Sequence, residues 1–84
     1  MYDYFKVSPE GLVGKRLRDF RLMKGYTQND VAHWLGKSQS YVNLYELGKA
    51  PVKISDVEII CSKFYGLEVE NFTEGKPVDW SSVR

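Results

Sequence analysis

Gln28, Gln39, Ser40 and Asn43 are the side chains best equipped for chemistry in this chain, three amides and a hydroxyl within a short stretch. They offer paired hydrogen-bond donors and acceptors, suited to reading the edge of another molecule, but no base stands among them to activate the hydroxyl as a nucleophile. Nothing around them points to bond-making chemistry, because the sequence has no Ser-His-Asp set, no paired carboxylates and no Gly-rich phosphate loop. His33 reads as an exposed helix residue, and with Cys61 as the single cysteine there is no credible metal site. One cysteine also cannot close an internal disulfide, which fits a reducing cytoplasm. No catalytic residue, cofactor, metal or small-molecule substrate is expected, so an enzyme is excluded in favour of a binding protein.

The elements that must position these side chains are helical. The chain has 84 residues, 43% hydrophobic and 27% charged, as expected for one soluble domain. No apolar run approaches the ~20 residues of a membrane helix, and residues 1–7 lack the features of a signal peptide. Ser8, Pro9 and Glu10 form a helix start, with a capping hydroxyl, Pro at the first position and an acid near the positive dipole end. Val13, Leu17 and Phe20 follow at helical spacing, and Gly25 stops the helix after Lys24. Thr27 caps a second helix, with Asp30 completing a capping box; Val31, Ala32 and Leu35 face inward, and Gly36 ends it. Ser38 caps a third helix with Val42 and Tyr45 inward, which runs to Gly48 with Pro51 beyond. A fourth is expected from Ile54 or Ser55 to Tyr65, with Val57, Ile60, Cys61 and Phe64 inward and Gly66 as its stop. A short fifth turn carries Val69 and Phe72. The fold class is all-α, with four to five helices.

Gly36, Lys37 and Ser38 make the kind of 3–4-residue turn that lets a second helix stand proud of the body and enter a groove. Net charge is only +1, but it is unevenly spread. Residues 8–53 carry eight Lys or Arg against four acids, a balance of +4, whereas residues 54–84 sum to −3. The positive charge therefore accompanies the turn and its helices, as phosphate attraction requires.

Leu17 to Arg21, Gly25 to Gln28, Val31-Ala32, Leu35-Gly36, Ser38 to Ser40 and Glu46 to Gly48 together resemble the lambda repressor and Cro-type helix-turn-helix, or xenobiotic-response-element, family. The resemblance covers roughly residues 10–72 and implies a compact lambda-repressor-like DNA-binding domain. It implies that Gln28, at the start of the second helix, contacts phosphate through its side chain and backbone N–H, where a helix N-terminus favours an anion. It implies that Gln39 reads adenine by a bidentate amide contact, and the two amides could also bond each other. Ser38, Ser40, Asn43 and Leu44 stand near or at further groove-facing positions, Leu44 suited only to a thymine methyl or apolar base edge. Arg21 and Glu46 match a partly buried salt bridge between the first and third helices. Lys49 and Lys53 are expected to contact phosphate, with Lys37 a weaker candidate. The sequence also departs from the family pattern. Leu47 replaces a polar phosphate anchor, Tyr41 is bulkier than usual and could offer its hydroxyl to phosphate, and Trp34 reads as a packing residue or a contact with the tail or a partner.

The expected organisation is an N-terminal arm over 1–7, a helix-turn-helix DNA-binding domain over 8–72 and a tail over 73–84 that is irregular or part of a dimer contact. The expected function is a cytoplasmic, sequence-specific transcription regulator, a repressor or controller, binding double-stranded DNA as a homodimer on a near-palindromic operator. Val69, Phe72, Val78, Trp80 and Val83 are the candidate dimer surface. The alternative is a protein-interaction module that keeps the fold without DNA binding, such as an antitoxin-like partner-binding protein, favoured by Leu44, Leu47 and Trp34.

Overall fold

The computed structural model describes residues 12–84. The helix start at Ser8, Pro9 and Glu10 and the arm over 1–7 lie outside the described residues. The described chain is all-helical: α1 (Leu12–Lys24), α2 (Gln28–Leu35), α3 (Gln39–Glu46), α4 (Ile54–Ser62), α5 (Val69–Thr73) and a 3-10 turn at Trp80–Ser82.

Local chemistry explains where the central helices begin and end. Thr27 Oγ1 accepts from the Asp30 N–H at 3.1 Å while the Asp30 carboxylate accepts from the Thr27 N–H at 2.9 Å, a reciprocal cap at the start of α2. Gly36 ends α2 at φ 66°, ψ 32°, a left-handed conformation that costs glycine nothing. There the Lys37 N–H reaches back to the Ala32 carbonyl at 3.0 Å, which reverses the chain at once. Ser38 then accepts from the Tyr41 N–H at 3.2 Å and starts α3, so the turn between helices is as short as the sequence indicates. α4 stops at Ser62, short of the expected Tyr65. Its last bonds, Lys63 N–H to Ile60 and Phe64 N–H to Cys61, span three residues and tighten the final turn.

The core gathers on Phe20, which is 1% exposed. Its ring meets Phe64 and Phe72 edge-on, with centroids 5.1 and 5.9 Å away, and stacks on Trp80 at 6.1 Å. Val13, Leu17, Val31, Ala32, Val42, Val57 and Ile60 fill the space around it, as their helical spacing predicts. Trp34 packs against Tyr26 and Phe64, at 4.7 and 5.6 Å between centroids, which accounts for an aromatic residue on the rim of α2. Gly14 lets α1 approach α3 closely, because a Cβ there would collide with the Tyr45 carbonyl.

Residues 73–84 have little regular structure but are fastened down. Val83 is buried at 3% exposure, and the backbones of Tyr65 and Arg84 exchange hydrogen bonds of 2.7 and 3.0 Å. The Lys24 ammonium donates to the Val83 carbonyl at 3.1 Å. Asn71, itself buried, donates to the Lys76 and Pro77 carbonyls at 3.0 and 3.3 Å and turns the chain toward Trp80. Phe72 and Val83, two of the candidate dimer-surface residues, are thus consumed by the chain's own core.

Candidate nucleic-acid interface

α2 and α3 pack against each other, α3 also against α1 and α2 also against α4. α3 therefore sits on a platform. Val42, Tyr45 and Glu46 are its buried side; Gln39, Ser40, Leu44 and Leu47 are exposed, with Asn43 half-buried between them. At 1.5 Å per residue its eight residues span ~12 Å, comparable with the width of a B-DNA major groove.

A continuous polar network runs from α1 through α2 to the outer side of α3. The Arg21 guanidinium grips Glu46 with two bonds, Nε to Oε2 at 2.7 Å and Nη2 to Oε1 at 2.9 Å. Its remaining arm donates to the Tyr26 carbonyl at 3.0 Å, fixing the chain between α1 and α2. The bonded carboxylate holds Arg21 above its usual pKa against the opposing effect of burial. Glu46 Oε1 also accepts from Gln28 Nε2 at 3.0 Å, and the same Nε2 donates to Asn43 Oδ1 at 3.1 Å. Gln28 Oε1 accepts from Gln39 Nε2 at 2.5 Å. The expected Arg21–Glu46 brace and Gln28–Gln39 bond are both present, and the links from Gln28 to Glu46 and Asn43 are additional. Both N–H groups of the Gln28 side chain are used inside the protein, and its Oε1 accepts from Gln39. Its backbone N–H, at the first position of α2, belongs to the group that has no intrahelical acceptor.

A second polar cluster supports α3 from the other side. Tyr45 is buried, and its hydroxyl donates to Asp56 Oδ2 at 2.5 Å, at the start of α4. Burial, and then the bond to Asp56, push the Tyr45 phenol well above its ordinary pKa, so it remains a donor. Lys37, in the turn, lies 3.5 Å from Asp56 and sits over the Tyr41 ring at 5.1 Å. The Tyr41 ring packs on Tyr45 with centroids 5.0 Å apart, on the flank of α3 away from Gln39 and Asn43. Lys49 is exposed after α3, and Lys53 caps α4. Ser38 is taken up by its cap.

Sequence reasoning missed Asp56, whose only signal is an acid in the first turn of a helix. It also missed that several cations of residues 8–53 serve the fold: Arg21 and Lys37 pair with carboxylates, while Arg16 and Lys24 donate to the Phe72 and Val83 carbonyls. Carbonyls do not cancel charge, so the electrostatic bias of the region survives in part. No helix among the described residues is long and apolar enough to cross a membrane, and no group of metal-ligating residues occurs among them.

The geometry, two short helices across a Gly-centred turn with a polar-edged second helix, agrees with comparison to known proteins. Residues 12–72 match the model of a helix-turn-helix domain family. The chain belongs to that family. Its fold is similar to the crystal structure of a hypothetical transcription factor, NHTF, from Neisseria, with a TM-score of 0.64 over 96% of this chain and 90% of that one at 18% identity. No curated protein matches it. Helix-turn-helix domains dock their second helix in the DNA major groove, with the first lying across the backbone.

Proposed function

We propose that this helix-turn-helix chain is a sequence-specific, double-stranded-DNA-binding transcription regulator, a Cro-like repressor or controller acting as a homodimer on a near-palindromic operator. The observation that carries the reading is Gln39 at the tip of α3, its amide held by Gln28. One N–H of Gln39 is used in that bond, which leaves Oε1 and the second N–H facing outward, the acceptor–donor pair complementary to adenine N6 and N7. Ser40 supplies a further polar contact and Leu44 an apolar one beside it. The backbone N–H of Gln28, with Lys49 and Lys53, supplies phosphate contacts that set register. Two copies present two α3 helices ~34 Å apart on one face of the duplex.

Titration of fluorescent duplex with rising salt tests this. The affinity for random duplex should fall steeply, with a log–log slope of roughly −0.9 per phosphate contact. No duplex binding at ~50 mM salt would refute it. A second reading, a protein-interaction module, is favoured by the exposure of Leu44 and Leu47, 37% and 58%, on the outer side of α3. It predicts binding to a protein partner with little salt dependence and none to duplex.

A further inference from the structure

The network behind α3 constrains more than position; it constrains which end of each amide faces outward. Arg21 is donor-only, and the carboxylate it grips is acceptor-only. Glu46 Oε1, 3.0 Å from the Gln28 amide, can therefore meet only its NH2 end. That NH2 has two hydrogens; one is used on Glu46, and the other points at Asn43, 3.1 Å away. Asn43 must then present its oxygen inward. Gln28 Oε1 lies on the opposite side and accepts from the NH2 of Gln39. The orientation of all three amides follows from one ion pair, independently of how amide oxygen and nitrogen atoms are assigned.

We propose that the Arg21–Glu46 pair sets the donor–acceptor polarity of the reading edge through Gln28, making Asn43 a donor-only reader that selects guanine. This rests on the DNA-reading function above. Asn43 Oδ1 is turned inward onto the Gln28 N–H, so the two N–H groups of its Nδ2 are the ones offered to a base. Guanine offers two acceptors in the major groove, O6 and N7; thymine and adenine offer one each, and cytosine offers a donor. Asn43 therefore ranks guanine first and rejects cytosine, whereas a free asparagine, with its oxygen outward, would pair bidentately with adenine. Gln39 keeps one acceptor and one donor, so the two readers differ although both are amides. Glu46, buried at 8% exposure, acts here as a positioning residue that touches no base.

The experiment is selection from random duplex pools with the native chain, Asn43→Ala and Glu46→Gln, with each variant's helicity and melting recorded. Asn43→Ala should relax one base pair of each half-site, and the native chain should enrich guanine there by about 5- to 150-fold over cytosine. Glu46→Gln allows Gln28 to turn over. It should bring the guanine-to-adenine ratio at that pair to within about threefold while leaving affinity for random duplex within about twofold. Should Glu46→Gln fail to fold, 7-deazaguanine at that pair tests the native chain directly, and removal of the N7 acceptor should weaken binding about 5- to 10-fold. Enrichment of cytosine, lack of preference, undiminished guanine selection by folded Glu46→Gln, or indifference to 7-deazaguanine each overturns the polarity relay while leaving DNA reading intact. Failure of the native chain to enrich any duplex overturns both.

Discussion

Gly14→Ala should destabilise the protein, although the same change on an open helix face stabilises it. A Cβ at Gly14 would lie 2.7 Å from the Tyr45 carbonyl carbon and closer still to its oxygen, with the Glu46 nitrogen at 3.4 Å. All three are backbone atoms, so no side chain can swing aside, and α1 and α3 must part by roughly 1.5 Å to restore ordinary contact. Overpacking of this kind costs about 3 kcal/mol, and the helix preference of Ala over Gly returns about 1 kcal/mol. The net loss of about 2 kcal/mol should lower the melting temperature by roughly 8–16 °C for a domain of this size. The assay is thermal unfolding by circular dichroism, beside Gly36→Ala as a control. Gly36 has nothing within 4 Å but φ +66°, so its substitution costs only left-handed strain, about 1–2 kcal/mol. A Gly14→Ala protein melting at or above the native temperature would refute the close approach of α1 to α3.

Four further outcomes are expected. Burial first, and then Glu70, Glu58 and Glu68, push the Cys61 thiol up to about 11, so alkylation at pH 8 should run about 100-fold slower than for an unhindered free thiol, and rise to the free rate in denaturant. Since that folded pKa is raised, the stability it contributes is complete below about pH 9 and lost as pH rises toward 11, visible as a falling urea midpoint across that window. Tyr45→Phe strips Asp56 of a donor it holds in a buried site, and should cost about 1–3 kcal/mol by urea unfolding. Val83→Ala removes two buried methyl groups that clasp the tail, and should cost about 1–2 kcal/mol and shift Trp80 emission to the red.

Much of the helical scaffold was legible because its signals are local. Thr27 with Asp30, Gly36 and Ser38 each satisfy or terminate a helix through bonds within a few residues, so sequence spacing carries the whole message. The inward positions of α1 to α3 were legible for the same reason, as helical period maps directly onto burial. The Arg21–Glu46 brace was legible only through family resemblance, since nothing local ties residues twenty-five apart. What escaped is tertiary. Asp56 looks like an ordinary first-turn acid until α4 lays it against the Tyr45 hydroxyl. Gly14 looks like a poor helix former until the Tyr45 carbonyl arrives above it. The tail's apolar residues lack periodicity, and only the aromatic cluster around Phe20 shows that they complete a core. The engagement of both Gln28 N–H groups was also invisible, because it requires counting donors and acceptors across three helices.

That tethering bears on affinity as well as selectivity. A reader whose amides float in water must order each of them on binding, at about 0.5–1.5 kcal/mol per side chain. Here Gln28 and Gln39 hold each other at 2.5 Å, and Asn43 is tethered at 3.1 Å, before any ligand arrives. Most of that ordering cost has been met during folding. The same tethering limits what α3 can read, since an amide already bonded on one side cannot reorient to suit another base. Leu44 and Leu47 have no such tethers and bury apolar area without regard to donor polarity. Discrimination should therefore concentrate at the Gln39 and Asn43 end of the helix, and tolerance at the leucine end. A site with sharply defined positions on one side grading into loosely defined ones on the other is the pattern this division of labour demands.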